Sequence, residues 1–180
     1  MRVWPCRSPR DSAGRSPRRD SMIPQEICNA LKERFPQAIL DLRTDGVLDP
    51  FAKIAADCIR DVCVFLRDET RFAFDSLMCL SGVDYASGKL GVVYHLHSTQ
   101  WNHKITLKVE VTVEQPACPS VESVWKTANW HEREAYDLFG IVFDGHPDLR
   151  RILLPDDWEG HPLRKDYQLP DYYHGMKVPY

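Results

Sequence analysis

No apolar run in this sequence approaches the roughly 18 to 20 residues that cross a bilayer as a helix. The densest stretches are VCVFL at 62–66 and IVF at 141–143, so the chain is not expected to enter a membrane by itself. CxxC is absent. Cys58 and Cys63 lie five apart on a predicted helix and fall on different faces, whereas an iron–sulfur cluster needs three or four gathered thiolates. Neither GxGxxG nor GxxxxGK[ST] occurs, so no loop is suited to cradling phosphate, and Ser81 in CLSGV lacks the preceding glycine of a nucleophile elbow. The segment HERE at 131–134 begins like a zinc-protease helix, but Ala135 stands where the second histidine ligand belongs. His95 and His97 alternate on a predicted strand without a Cys, Asp or Glu at ligand spacing. These absences leave no candidate catalytic, cofactor-binding or metal-binding residue.

A secretory signal is also missing, and Cys6, Cys28, Cys58, Cys63, Cys79 and Cys118 are scattered, several of them in apolar segments. They read as reduced thiols in a cytosolic compartment. The net charge of −3 is unevenly spread: residues 1–21 carry six arginines against Asp11 and Asp20, +4, which leaves −7 for residues 22–180. A mildly acidic folded part argues against nucleic acid as a partner, because phosphate binding needs clustered Lys and Arg on a folded surface. Residues 1–21, rich in Arg, Ser and Pro, are expected to be a disordered basic extension, with Met22 offering an alternative start.

What is present is 43% apolar and 27% charged, enough for one packed core. Ile27, Leu31 and Phe35 mark one face of a helix that starts at Pro24 and stops at Pro36, and AILDL at 38–42 reads as a strand. Asp49–Pro50 looks like a helix start, with Phe51, Ile54, Ala55, Cys58, Val62 and Phe65 forming a long apolar face. DSLMCLSGVDY at 75–85 is a strand, and KLGVVYHLHS and KITLKVEVTV form a hairpin around Thr99–His103. A helix is expected from Val121 to Ala128. Asn129 and Glu132 form a capping box that restarts it at Trp130, and Gly140 terminates it. The fold class is therefore α/β, in the α+β sense: one domain over 22–144 with a small, mostly antiparallel sheet packed by two or three helices.

Residues 145–180 differ in kind. Five prolines recur among Trp158, Tyr167, Tyr172, Tyr173 and Tyr180, and neither helix nor regular sheet fits. A segment carrying Leu149, Ile152, Leu153, Leu154 and Trp158 exposes apolar surface unless something covers it, and the natural cover is another protein. Just before it, Arg133 and Asp137 are i, i+4 neighbours. On an isolated helix they read as a solvated charged face. Here the helix runs into Arg150, Arg151, Arg164 and Lys165 alternating with Asp156, Asp157, Glu159 and Asp166, balanced charge suited to fixing a docking register.

At this stretch the sequence resembles the C-type, 30 kDa subunit family of proton-pumping NADH–quinone oxidoreductase, respiratory complex I. The signature is carried by Glu132, Arg133, Glu134, Asp137, Leu138, Phe139, Gly140, Gly145, His146 and Pro147. It continues through DLRRILLPDDWEGHPLRKDY, which contains Arg150, Arg151, Arg164, Asp166 and Tyr167. The likeness is densest over 125–173 and follows the element order from Met22. It implies a structural subunit with no cofactor of its own, NAD, FMN, the iron–sulfur clusters and quinone being bound by other subunits. It also implies a peripheral position on the cytoplasmic side of the bacterial inner membrane, docked on the neighbour that forms the quinone pocket, with the extension wrapping that neighbour. The signature residues are then interface residues. Rival expectations are the homologous subunit of a ferredoxin–plastoquinone oxidoreductase or membrane-bound hydrogenase, a free-standing hydrolase or metalloenzyme, and a nucleic-acid module using the basic N-terminus.

Overall fold

The computed structural model describes residues 24–44, 46 and 49–178, so the basic segment 1–21 lies outside the described residues. Helix α1, Pro24–Arg34, starts on a proline whose missing N–H costs nothing in a first turn. It buries Ile27, Cys28, Ala30 and Leu31 and carries Lys32 and Arg34 in its last turn, where cations suit the helix dipole. The strand expected next is β1, Ile39–Arg43.

The helix expected from Asp49 begins later. Phe51–Ile54 is instead a strand, β2, whose Ala52 and Ile54 are buried while Phe51 and Lys53 are half-buried. Its period is two, masked in the sequence because Phe51 is apolar on the outer side. Ala55 is extended, with φ −62° and ψ 135°, and separates β2 from a 3-10 turn at Ala56–Cys58. Helix α2, Ile59–Asp68, then buries Ile59, Val62, Cys63 and Leu66, a spacing of i, i+3, i+4, i+7.

Strands β3, Ser76–Asp84, β4, Lys89–His97, and β5, Lys104–Thr112, follow the expected alternation. The sheet order is β1-β2-β5-β4-β3. β2 runs parallel to β5 and every other neighbouring pair is antiparallel. β2 thus fills the position between β1 and β5, which explains why the chain spends four residues there on a strand rather than on a helix.

After β6, Ala117–Pro119, the helix expected over Val121–Ala128 is a run of turns. Trp125 is pinned there by its indole N–H, which donates to the Phe74 carbonyl at 3.0 Å. Helix α3, Ala128–Phe139, runs without a break through Asn129 and has no side-chain cap at Thr127. The capping box does not form, because Glu132 spends its carboxylate elsewhere. Gly140 closes the helix as expected, at φ 74° with its N–H on the Tyr136 carbonyl at 2.8 Å. A short strand β7, Val142–Asp144, then pairs parallel with β6. Strands β8, Tyr172–Tyr173, and β9, Met176–Lys177, make a small hairpin near the end. α3 lies close on the sheet at Gly82, where a Cβ would fall 2.5 Å from Phe139 Cδ2.

Candidate functional site

Helix α3 points three ionisable side chains, Glu132, Arg133 and Asp137, into buried positions. Burying a charge is costly unless it is paired and hydrogen-bonded, so each of these groups must find its partners nearby. Each finds them within the chain.

Asp137 is fully buried. Its Oδ2 accepts the backbone N–H groups of Ile152, Leu153 and Leu154 at 3.1, 2.8 and 2.9 Å, and its Oδ1 accepts Arg151 Nη1 at 2.8 Å. Burial pushes this carboxyl up, but the Leu154 N–H, the Arg151 guanidinium and the N–H groups of Leu153 and Ile152 outweigh it and hold the pKa below the usual carboxylate value. Arg133 does not pair with Asp137, despite the i, i+4 spacing. It donates to the carbonyls of Arg150 and Arg151 at 3.2 and 3.1 Å.

The last turn of a helix leaves its carbonyls without intrahelical partners. Here the extension supplies them. The Asp137 carbonyl accepts from His161 Nδ1 at 2.9 Å, that of Leu138 from the Leu163 N–H at 3.1 Å, and that of Phe139 from Arg164 Nε at 2.8 Å. Two cationic groups and an imidazole at this end also suit the negative pole of the helix dipole. Arg151 reaches on to the carbonyls of Trp158 and Gly160 at 2.8 and 3.1 Å, tying the loop back on itself. Replacing Arg151 by Lys, which lacks the planar fork, is expected to lose most of these bonds and to raise amide hydrogen exchange at Ile152–Leu154.

Glu132 closes the other end. Ser120 Oγ donates to its Oε2 at 2.6 Å and the Val121 N–H to its Oε1 at 2.8 Å. His146 Nε2 donates to the Asn129 carbonyl at 3.2 Å while its Nδ1 accepts the Asp148 N–H at 3.0 Å, a pattern that the neutral Nε2–H tautomer satisfies. The sequence contains Gly-His-Pro twice, at 145–147 and 160–162. Both turns place a histidine on a carbonyl of α3, one near its start and one near its end. This repeat is the signal that could have found His161; Ser120, which bonds Glu132, carries no such signal in the sequence.

Burial pushes the Glu132 carboxyl up to about 7, against the lowering effect of its Ser120 and Val121 donors. Its folded pKa lies above the unfolded value of 4.5, so the folded state holds the proton more tightly. The stability linked to this group is full below about pH 4.5 and is lost as pH rises through about 7, by up to about 3 kcal/mol. Urea midpoints measured at pH 5 and pH 7.5 should therefore differ more for the wild type than for Glu132→Gln.

The remaining expected residues divide. Gly145 takes φ 83° and, with Pro147, is exposed. Arg150 is exposed and pairs with Asp148 at 2.9 Å. Tyr167 is half-buried, its hydroxyl accepting Trp158 Nε1 at 3.0 Å. Asp166 is exposed, as is Glu134, which with His131, Leu138 and Leu163 lines a groove of about 310 Å³ beside β3. The extension also reaches β3 itself, where the Lys165 N–H donates to Asp84 at 2.8 Å. Part of the surface for which the sequence suggested a foreign cover is therefore covered by the chain itself: Leu149, Ile152, Leu154 and Trp158 are half-buried, Leu149 against the core and Trp158 with its ring 5.1 Å from that of Tyr173. Leu153, Leu163, Leu169, Tyr172 and Met176 stay exposed.

Residues 52–173, which hold most of the sheet, α3 and the clasped extension, match the family described as respiratory-chain NADH dehydrogenase, 30 Kd subunit. The chain belongs to that family. Among relatives, the C-type subunit of NADH-quinone oxidoreductase from Chloroherpeton thalassium is 50% identical over 159 residues, covering 87% of this chain and 66% of that protein. This is just under two thirds of its length. The corresponding subunit from Chlorobium phaeobacteroides is 47% identical, covering 84% of this chain and 93% of that one. Among solved structures, a trypsin-resistant fragment of Nqo5 is 29% identical, with a TM-score of 0.56 over 68% of this chain and 98% of the fragment. The membrane-bound sulfane sulfur reductase, an archaeal respiratory membrane complex, shares the fold at a TM-score of 0.67 and 24% identity, over 81% of this chain and 85% of its own. For this member of the 30 Kd subunit family, α3 and the segment it holds lie inside the matched residues.

Proposed function

We propose that this chain is a structural, non-redox subunit of the peripheral arm of a proton-translocating NADH–quinone oxidoreductase. In that complex, electrons pass from NADH through FMN and iron–sulfur centres held by other subunits to quinone. The chain sits on the cytoplasmic side of the membrane and meets it only through the complex; no helix among its described residues is long and apolar enough to cross a bilayer. Nucleic acid is not a partner. The names of the relatives favour this complex over a ferredoxin- or hydrogen-linked one.

The observation that carries the structural role is the use made of Glu132, Arg133 and Asp137. The charged groups most suited to chemistry are consumed in holding the chain's own structure: Arg133 and Asp137 hold the extension in shape, and Glu132 holds the Ser120–Val121 turn. That shape presents Leu153, Leu163, Leu169, Tyr172 and Met176, all exposed, to a neighbour. Apolar side chains left in water on an ordered loop are the anchors from which interfaces draw their energy, and the subunit that forms the quinone pocket is the partner we assign to them.

Affinity purification of the tagged chain from native membranes tests this reading. Flavin-binding and iron–sulfur subunits and NADH oxidation should accompany it, and deletion of residues 146–180 should abolish that company. Recovery of the wild-type chain without any redox subunit would overturn the proposal.

A further inference from the structure

The sheet has two unlike faces. Across β4 and β5, Leu90, Val92, Tyr94 and Leu96 pair with Val111, Val109, Leu107 and Ile105, and all of these are buried in the core with the apolar faces of the helices. Directly paired residues share a face, and the alternate pairs point the other way. Those are Lys89 with Thr112, Gly91 with Glu110, Val93 with Lys108, His95 with Thr106, and His97 with Lys104. Val93 has only 9% of its surface exposed yet is not part of the core cluster, so this second face is a layer of its own.

The charge of this face opposes that of the rest. β2 places Lys53 beside Lys108. On β1, Arg43 and Asp41 cancel one another at 3.3 Å. On the next three strands Lys53, Lys89, Lys104 and Lys108 face one carboxylate, Glu110, which lies 2.7 Å from Lys53 and 3.9 Å from Lys89. Lys104 and Lys108 have no carboxylate partner among the described residues, and the Lys108 ammonium rests 3.7 Å from the centre of the Phe51 ring. Residues 22–180, with this patch included, carry −7. A positive sheet face on an acidic protein concentrates field at one place, and such patches select partners of opposite sign.

We propose that the lysine-lined side of this sheet is a second docking surface, separate from the C-terminal extension, and that it takes an acidic protein surface of another subunit of the same complex. The inference rests on the assembly role proposed above. A protein fits better than a phosphate-bearing surface because Glu110 stands within the patch. Phosphates arrayed over it would meet that carboxylate, whereas a protein surface can set a base against Glu110 and acids against Lys104 and Lys108. Phe51, half-buried beneath the Lys108 ammonium, adds apolar contact that a hydrated headgroup layer would leave unused.

The test uses the intact complex purified from native membranes. A zero-length carbodiimide reagent joins a lysine amine only to a carboxylate already in contact with it, and mass spectrometry locates the link. Lys104 or Lys108 should be joined to an Asp or Glu of another subunit, and both lysines should be acetylated several-fold less in the complex than in the separated chain. The paired change Lys104→Glu with Lys108→Glu should lower the salt concentration at which the subunit leaves the complex. Should that variant fail to fold, Lys104→Gln with Lys108→Gln should shift it in the same direction. Equal acetylation in both states with no cross-link overturns the inference, and so does protection that appears only with anionic lipid vesicles. If the chain carries no redox subunits at all, it is the assembly reading that fails; if it carries them with both lysines free, only this inference fails.

Discussion

Replacing Asp137 by Ala should cost about 3 kcal/mol and lower Tm by roughly 10 °C, a large effect for one helix residue. The substitution removes the common acceptor of three backbone N–H groups and of the Arg151 guanidinium, all supplied by one carboxylate that water does not reach. The loss is not the full sum of four charged hydrogen bonds, because the freed amides at Ile152–Leu154 are only partly buried and recover some bonds to water. Asp137→Asn should cost less, since one amide oxygen can still accept the N–H groups while the ion pair is lost. Because the Asp137 carboxyl titrates below its ordinary value in the folded state, its contribution is present above about pH 4 and is lost as pH falls through the folded pKa. The wild type and Asp137→Ala should therefore differ fully at pH 7 and converge in acid. Trypsin gives a local readout: cleavage after Arg150, Arg151, Arg164 and Lys165 should quicken in the variant well before the sheet unfolds.

Gly140→Val should cost about as much, by a different route. At φ 74° a β-branched residue is strained, and the added Cβ would fall 2.6 Å from His161 Cδ2 and Nε2. His161 can withdraw only by giving up its bond to the Asp137 carbonyl, so the clash unseats the second Gly-His-Pro turn. About 3 kcal/mol is expected for Val and about half that for Ala. The two sources separate in a double-mutant cycle: Gly140→Ala combined with His161→Ala should cost less than the sum of the single changes, because removing the ring removes the clash. Strict additivity, measured by urea denaturation, would show that backbone strain alone sets the cost.

Much of the frame was legible in the residues. Ile27 and Leu31 fix α1, and the alternation from Leu90 to Val111 fixes the central hairpin, because apolar spacing is a local property of the chain. The misread helix start at Asp49 shows where local reading fails. Four residues of sheet, set by parallel pairing with β5 more than fifty residues away, were decided by tertiary contact. The capping box failed for the same reason: Glu132 had stronger claims on it from Ser120 and Val121 than from the start of its own helix. The site was legible as a set of residues and not as a geometry. Arg133 and Asp137 stood out, but as i, i+4 neighbours they read as a charged face, solvated or suited to docking a neighbour. Only the folded extension reveals that they serve backbone groups near residues 150–154. The Lys-rich sheet face could have been found from KITLKVEVTV, where every second residue from Lys104 points away from the core.

A chain that supports assembly of its complex and takes no part in the chemistry should change how much complex forms and leave each complex as fast as before. Quantifying complex from membranes of a strain carrying Asp137→Ala, and measuring NADH–quinone turnover per assembled complex, separates the two quantities. Several-fold less assembled complex is expected, with kcat per complex and KM for NADH and quinone unchanged. Normal amounts of complex with a selectively raised KM or lowered kcat would contradict the assembly role.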